Sequence, residues 1–176
     1  MNVYVGIDPG ITTVGICVIS EKNSILYLDA IDDDAKVKAK RLDSVRLASI
    51  TNRTQQSLET ANLPNETTFA IEQPFVGQFK TKSGMPTVNQ GSLKTYGVFS
   101  ILMNACQERV DSGRATKLLV VAPPTLKAFL RQGQYEVGTK EQVARVVKAR
   151  WGFEHESHDV TDAFALAQYA REQDAK

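Results

Sequence analysis

Four acidic residues of this chain stand where a carboxylate is hard to explain as structure: Asp8 in Val-Gly-Ile-Asp-Pro-Gly, Glu72 in Phe-Ala-Ile-Glu-Gln-Pro, and Asp159 and Asp162 in His-Asp-Val-Thr-Asp-Ala. The first two close short apolar runs that read as buried strands, where ionised groups are rarely left unless paired or bound to a cation. Glu72 is the hardest to place otherwise, because Glu is a poor turn former and a poor strand residue and follows Phe69 and Ile71. Asp8 before Pro-Gly also suits a tight turn. Asp159 and Asp162 also suit a first helical turn, where the dipole favours carboxylates, and their spacing puts both on one face. If the strands ending at Asp8 and Glu72 are neighbours and the last helix crosses them, the carboxylates meet. Such a group repels itself and stays ionised only with cations present. All-oxygen donors select Mg2+ or Mn2+ over zinc. Two such ions roughly 3.5–4 Å apart activate a water and stabilise the departing oxygen of a phosphodiester. Phosphodiester hydrolysis is the expected reaction class.

The elements that must position these acids follow from periodicity. Val3 to Asp8, Thr13 to Ser20 and Ile25 to Ile31 are rich in Val and Ile and separated by turn signals, which predicts an antiparallel meander. Ala35 to Asn62 lacks Gly and Pro and predicts one long helix or two broken ones. Thr67 to Ile71 reads as a fourth strand. Phe75 to Asn89, with Gly77, Gly84 and Pro86, reads as an irregular surface loop. Gly91 to Val110 is helical and apolar on more than one side, Lys117 to Ala122 is a fifth strand closed by Pro123-Pro124, and Thr125 to Leu130 is a short helix. Gly133 to Gly138 reads as a second loop. Thr139-Lys140-Glu141-Gln142 has the form of a capping box, and the last helix runs from near Asp159 to about Glu172. The expected class is α/β, a mixed five-stranded sheet of three antiparallel strands then parallel ones, with helices on both faces. No repeat or linker divides residues 1–176, so one domain is expected.

Composition is that of a globular chain, with 42% hydrophobic and 23% charged residues in 176. No apolar run is long enough for a membrane span and no export signal opens the chain, so a cytoplasmic location without membrane partners is expected. Cys17 and Cys106 lie far apart in apolar segments and read as buried thiols. Net charge is only +1, but its distribution is uneven. Arg114 to Arg150 holds eight Lys or Arg against two Glu, and Gln78 to Lys94 holds Lys80, Lys82 and Lys94 with no acid. Basic flanks around an acidic centre suit a protein that brings phosphates onto bound metal, although solvated helix faces show similar runs.

Taken together, the segments around Asp8, Glu72 and Asp159/Asp162 resemble RuvC-type Holliday junction resolvases, in order and spacing over almost the whole chain. The resemblance implies an RNase H-like fold and two Mg2+ ions per site, with Mn2+ able to substitute. Asp8, Glu72, Asp159 and Asp162 would hold them. It also implies a homodimer that nicks four-way DNA junctions symmetrically, with branch-migration machinery as a further partner to test. Phe75, after Pro74 in a polar stretch, falls where the family has an aromatic that stacks on a base at the junction centre. Lys127 and Lys140 fall where it has lysines against the DNA backbone. Lys80 and Lys82 complete the expected DNA-facing set. His158 matches a position where some relatives use a histidine, but also reads as an exposed helix-cap residue.

The Gly-Ile-Asp-x-Gly start also resembles the phosphate loop of sugar kinases and actin-like ATPases, which need two such domains. Broader flap or fork debranching, a YqgF-type RNA-processing nuclease and an inert junction binder are the remaining alternatives. Retention of all the acids speaks against the last, since they weaken a pure DNA binder.

Overall fold

The computed structural model describes residues 1–32, 43–75, 78–80, 86–88, 90–132 and 135–176. Strands β1 (Val3–Asp8), β2 (Thr13–Ser20) and β3 (Ile25–Asp32) form the expected antiparallel meander. Helix α1 (Asp43–Thr60) leads to β4 (Thr67–Glu72), which lies parallel to β1. After a hairpin of β5 (Gln78–Lys80) and β6 (Pro86–Val88), helix α2 (Gln90–Asp111) returns the chain to β7 (Lys117–Val121), parallel to β4. Helices α3 (Pro123–Leu130), α4 (Lys140–Trp151) and α5 (His158–Asp174) complete the order. The sheet runs β3-β2-β1-β4-β7, the mixed five-stranded arrangement of an RNase H-like fold.

Side-chain alternation along the strands separates two cores. Val3, Val5 and Ile7 of β1, Val14, Ile16 and Val18 of β2, and Phe69 and Ile71 of β4 pack with Ile50 and Leu58 of α1 and Val98, Phe99 and Leu102 of α2. The opposite face carries Tyr4, Cys17, Ile19 and Ala70 against α3, α4 and α5. There an aromatic cluster braces the three helices. Phe153 stacks on Phe164 at 4.1 Å, Phe129 meets Tyr169 edge-on at 5.3 Å, and the Arg150 guanidinium lies 4.2 Å from the Trp151 ring centre. Such contacts add about 0.5–1.5 kcal/mol each beyond burial.

Helix α5 lies very close to the sheet backbone. A Cβ on Gly6 would stand 1.8 Å from the Ala163 carbonyl oxygen, and one on Gly15 2.0 Å from that of Asp159. Only hydrogen fits at either position, so these glycines are demanded by contact, not by backbone conformation.

Three expectations change. The segment from Phe75 to Asn89 is not wholly irregular, because β5 and β6 pair with Phe79 opposite Thr87 and Val88 opposite Gln78. The good strand formers there outweigh its Gly and Pro content. Pro123 and Pro124 open α3, where a missing N–H costs nothing, instead of only closing β7. Helix α5 starts at His158, and its cap is Ser157, whose hydroxyl accepts from the Val160 N–H. The reading of Ala35 to Asn62 as helical is met from Asp43 onward, and residues 35–42 lie outside the described ones. Among the described residues no helix is long and apolar enough to cross a membrane.

Two glycine substitutions separate contact from flexibility. Gly15→Ala is expected to cost about 3 kcal/mol, the upper range for overpacking. Gly97→Ala in α2, whose Cβ would meet Leu47 methyls at an ordinary 3.5 Å, is expected to stabilise by up to about 1 kcal/mol. Urea unfolding measures both, and equal effects would show that α5 does not rest on the strand backbone.

Candidate metal centre

Strand register alone brings the first two acids together. Asp8 pairs with Gly15 across the antiparallel ladder, and Ile7 pairs with Ile71 across the parallel one, so Asp8 and Glu72 end neighbouring strands at the same edge of the sheet. Alternation turns both toward the face that α5 covers. Because Gly15 has no side chain, the Asp159 backbone rests on it, opposite Asp8. Asp162 follows three residues along the same helix face.

Carboxylate oxygens of Asp8, Asp159 and Asp162 consequently lie within 4.8 Å of one another. Glu72 adjoins this trio: it shares a cleft with Asp8 and a side-chain hydrogen bond with it. All four are half-buried.

Lys140 is the cation of the group. The capping box at the start of α4 fixes its backbone, with Thr139 Oγ1 accepting from the Gln142 N–H at 3.3 Å and Gln142 Oε1 accepting from the Thr139 N–H at 3.0 Å. Its Nζ lies 2.6 Å from Asp159 Oδ1 and 3.7 Å from Asp162 Oδ2. Burial would lower the Lys140 ammonium, but the hydrogen bond to Asp159 and the fields of Asp159, Asp8 and Asp162 outweigh it and hold it above its ordinary value.

One lysine does not balance four acids. Burial, then repulsion from Asp162 and Glu72, holds Asp8 well above the usual carboxylate range. Burial and the charge of Asp162 push Glu72 up to about 7, against the pull of Lys140, Lys127 and the Asp8 hydrogen bond. Asp162 rises to about 6, burial again outweighing Lys140. Crowded carboxylates in this condition are the donor set that a hard divalent ion relieves, and the oxygen-only composition fits Mg2+ or Mn2+. Both cysteines are buried in the cores, where burial raises their thiols, and neither belongs to this cluster.

Beyond the acids, a cleft of about 180 Å³ is lined by Asp8, Glu72, Pro74 and Phe75. Phe75 is 74% exposed. Lys127 is exposed on α3, near enough for its charge to act on Glu72. His158 is exposed as the first residue of α5, and its charge reaches Asp162. Lys80 ends β5, apart from the acid cluster in the chain, and Lys82 lies outside the described residues. Sequence reasoning missed Pro9, Thr95 and Pro123, which complete the cleft. Pro9 and Pro123 read as turn residues, and nothing local sets Thr95 apart within an amphipathic helix.

A family model described as crossover junction endodeoxyribonuclease RuvC matches residues 4–169. Among solved structures, T. thermophilus RuvC in complex with Holliday junction substrate is similar with a TM-score of 0.64 at 20% identity, over 95% of this chain and 90% of that one. The yeast mitochondrial Holliday junction resolvase Ydc2 is similar with a TM-score of 0.62 at 16% identity, over 97% of this chain and 78% of that one. At these identities the likeness is one of fold. No curated protein sequence matches.

The raised carboxyls carry a pH signature. Between its ordinary pKa and about 7, Glu72 keeps in the folded chain a proton that the unfolded chain has released, and Asp162 does so up to about 6. Where the folded state binds more protons, stability falls as pH rises, so the metal-free protein is expected to melt at a lower temperature at about pH 8 than at about pH 5. Mg2+ should recover more stability at the higher pH. A melting temperature that rises across this range counts against mutual repulsion in the cluster.

Proposed function

The chain belongs to the RuvC family of crossover junction endodeoxyribonucleases, and from that premise we propose that it is a structure-selective DNA endonuclease that resolves four-way junctions by paired symmetric nicks. The observation that carries this reading is the convergence of Asp8, Asp159 and Asp162 within 4.8 Å, with Glu72 beside Asp8, at one edge of the matched fold. A chain that merely bound DNA would gain nothing from repelling carboxylates where phosphates must approach.

In this reading residues 1–176 act as one nuclease domain, and the four acids hold two Mg2+ ions. When bound, the ions supply an activated water and charge neutralisation at the departing oxygen. The chain itself does the positioning. Strand ends fix Asp8 and Glu72, the first turns of α5 fix Asp159 and Asp162, and Lys140 offers its charge to the backbone phosphate once the acids are otherwise compensated. Lys127 on α3 and Lys80 at the end of β5 extend the phosphate-binding track, and Lys82 is proposed to join them from its place in the sequence. Phe75 stands exposed at the cleft to stack on an unpaired base, an interaction of roughly 1–3 kcal/mol.

Symmetric nicking requires a second copy. Leu93, Tyr96 and Ile101 on α2 are exposed apolar side chains, and they fit a homodimer face that sets two sites on opposite strands. Strand β5 begins three residues after Phe75. Flaps and forks belong beside four-way junctions in the cleavage assay.

Asp8→Asn and Glu72→Gln are each expected to abolish nicking of a synthetic four-way junction in Mg2+ while leaving junction binding intact or tighter. Undiminished nicking by either variant would sink the two-metal reading. Phe75→Ala is expected to reduce junction cleavage by about tenfold, within the range of one lost stacking contact, with little change in duplex binding. Equal losses on both substrates would remove the stacking role.

A further inference from the structure

The cleft beside the acids has walls that phosphates do not need. Beside Asp8 and Glu72 it is lined by Phe75 and three prolines, Pro9, Pro74 and Pro123. Proline rings and an aromatic face are apolar and rigid, and proline nitrogen brings no donor to a phosphate oxygen. Flat apolar walls of this kind suit the face of a nucleobase. Among the described residues lining the cleft, Thr95 brings the one neutral hydrogen-bonding side chain.

Several helical hydroxyls are satisfied within their own helix, and Thr95 is not among them. Thr51, Thr54, Thr60, Ser100 and Thr161 each donate back to a carbonyl one turn earlier. Such back-bonding satisfies a hydroxyl within its own helix. The half-buried Thr95 hydroxyl has no hydrogen-bond partner among the described residues. It is both donor and acceptor, so it can address a polar base edge. A carboxylate of the cluster, acceptor-only when ionised and engaged by cations, is poorly suited to that task.

We propose that the cleft receives the nucleobase adjoining the cut phosphodiester and that the Thr95 hydroxyl bonds its edge, making Thr95 a determinant of cleavage-sequence preference. This rests on the endonuclease reading for the identity of the strand. It adds how the enzyme chooses where in that strand to cut. Phe75 and the prolines grip any base through its face, and Thr95 distinguishes among bases through the edge.

The test uses the full chain and a series of four-way junctions that differ only in the bases flanking the nick position, with wild type, Thr95→Val and Thr95→Ser. Binding is measured in EDTA, where no cut follows, and nicking in Mg2+. Wild type should bind the best and worst bases of the series with affinities differing about tenfold, the scale of one net hydrogen bond. Thr95→Val, equal in shape, should flatten the series, and Thr95→Ser should restore it, while circular dichroism melting stays unchanged in both. Base preference kept by Thr95→Val, or no preference in wild type, overturns the proposal. So does an equal loss on every base, which would mark a backbone contact. If wild type shows the base preference in binding yet nicks nothing, the proposal stands and the nuclease reading falls.

Discussion

Everything at this site depends on how closely α5 lies on the sheet. An ordinary helix on a sheet stands off by the thickness of two layers of side chains. Here Gly6 and Gly15 remove one of those layers where α5 crosses β1 and β2. The glycine before Ile7-Asp8 is therefore as much a part of the site as the acid itself. It lets Asp159 and Asp162, on a helix more than 150 positions away in sequence, reach the oxygens of Asp8 without extending from long side chains. Aspartate, with its short stem, is the residue that such a close approach permits, and its few rotatable bonds keep the cluster ordered.

That closeness sets the electrostatic state of the site. Burial and mutual repulsion raise Asp8, Glu72 and Asp162, so the fold carries a local frustration that Lys140 relieves only in part. The remainder of the fold holds the site against it. Both faces of the sheet are covered by packed apolar cores. Arg150, held on the rings of Phe129 and Trp151 and paired with Glu172, ties α4 to α3 and α5. Lys140 begins the same helix that Arg150 nearly ends, so this anchor steadies the lysine from the far end of α4.

Much of this was legible in the sequence, for reasons that differ by element. Alternating Val and Ile made β1 and β2 visible, and the Thr139 to Gln142 pattern announced a capping box that the structure contains. Asp8 and Glu72 were legible because acids are rare at the ends of buried strands. Their meeting depended on parallel pairing of β1 with β4, which no local pattern encodes. Lys140 was singled out only through the family resemblance, as a lysine against the DNA backbone; its place beside Asp159 and Asp162 comes from the docking of α4 against α5. The β5–β6 hairpin was masked by its own Gly and Pro content. Thr95 had no local signal, because what sets it apart is the cleft it faces.

The sheet also sorts the chain into two layers with different duties. The acids and Lys140 belong to the face built with α3, α4 and α5, whereas Thr95 comes from α2 on the other face and meets them only where the strands end. The cleft is thus a seam between two separately packed cores. Substitutions in α1 and α2 can tilt one lip of that seam while leaving the carboxylate lip undisturbed, so the shape of the cleft and the electrostatics of the acids can drift independently within one small fold.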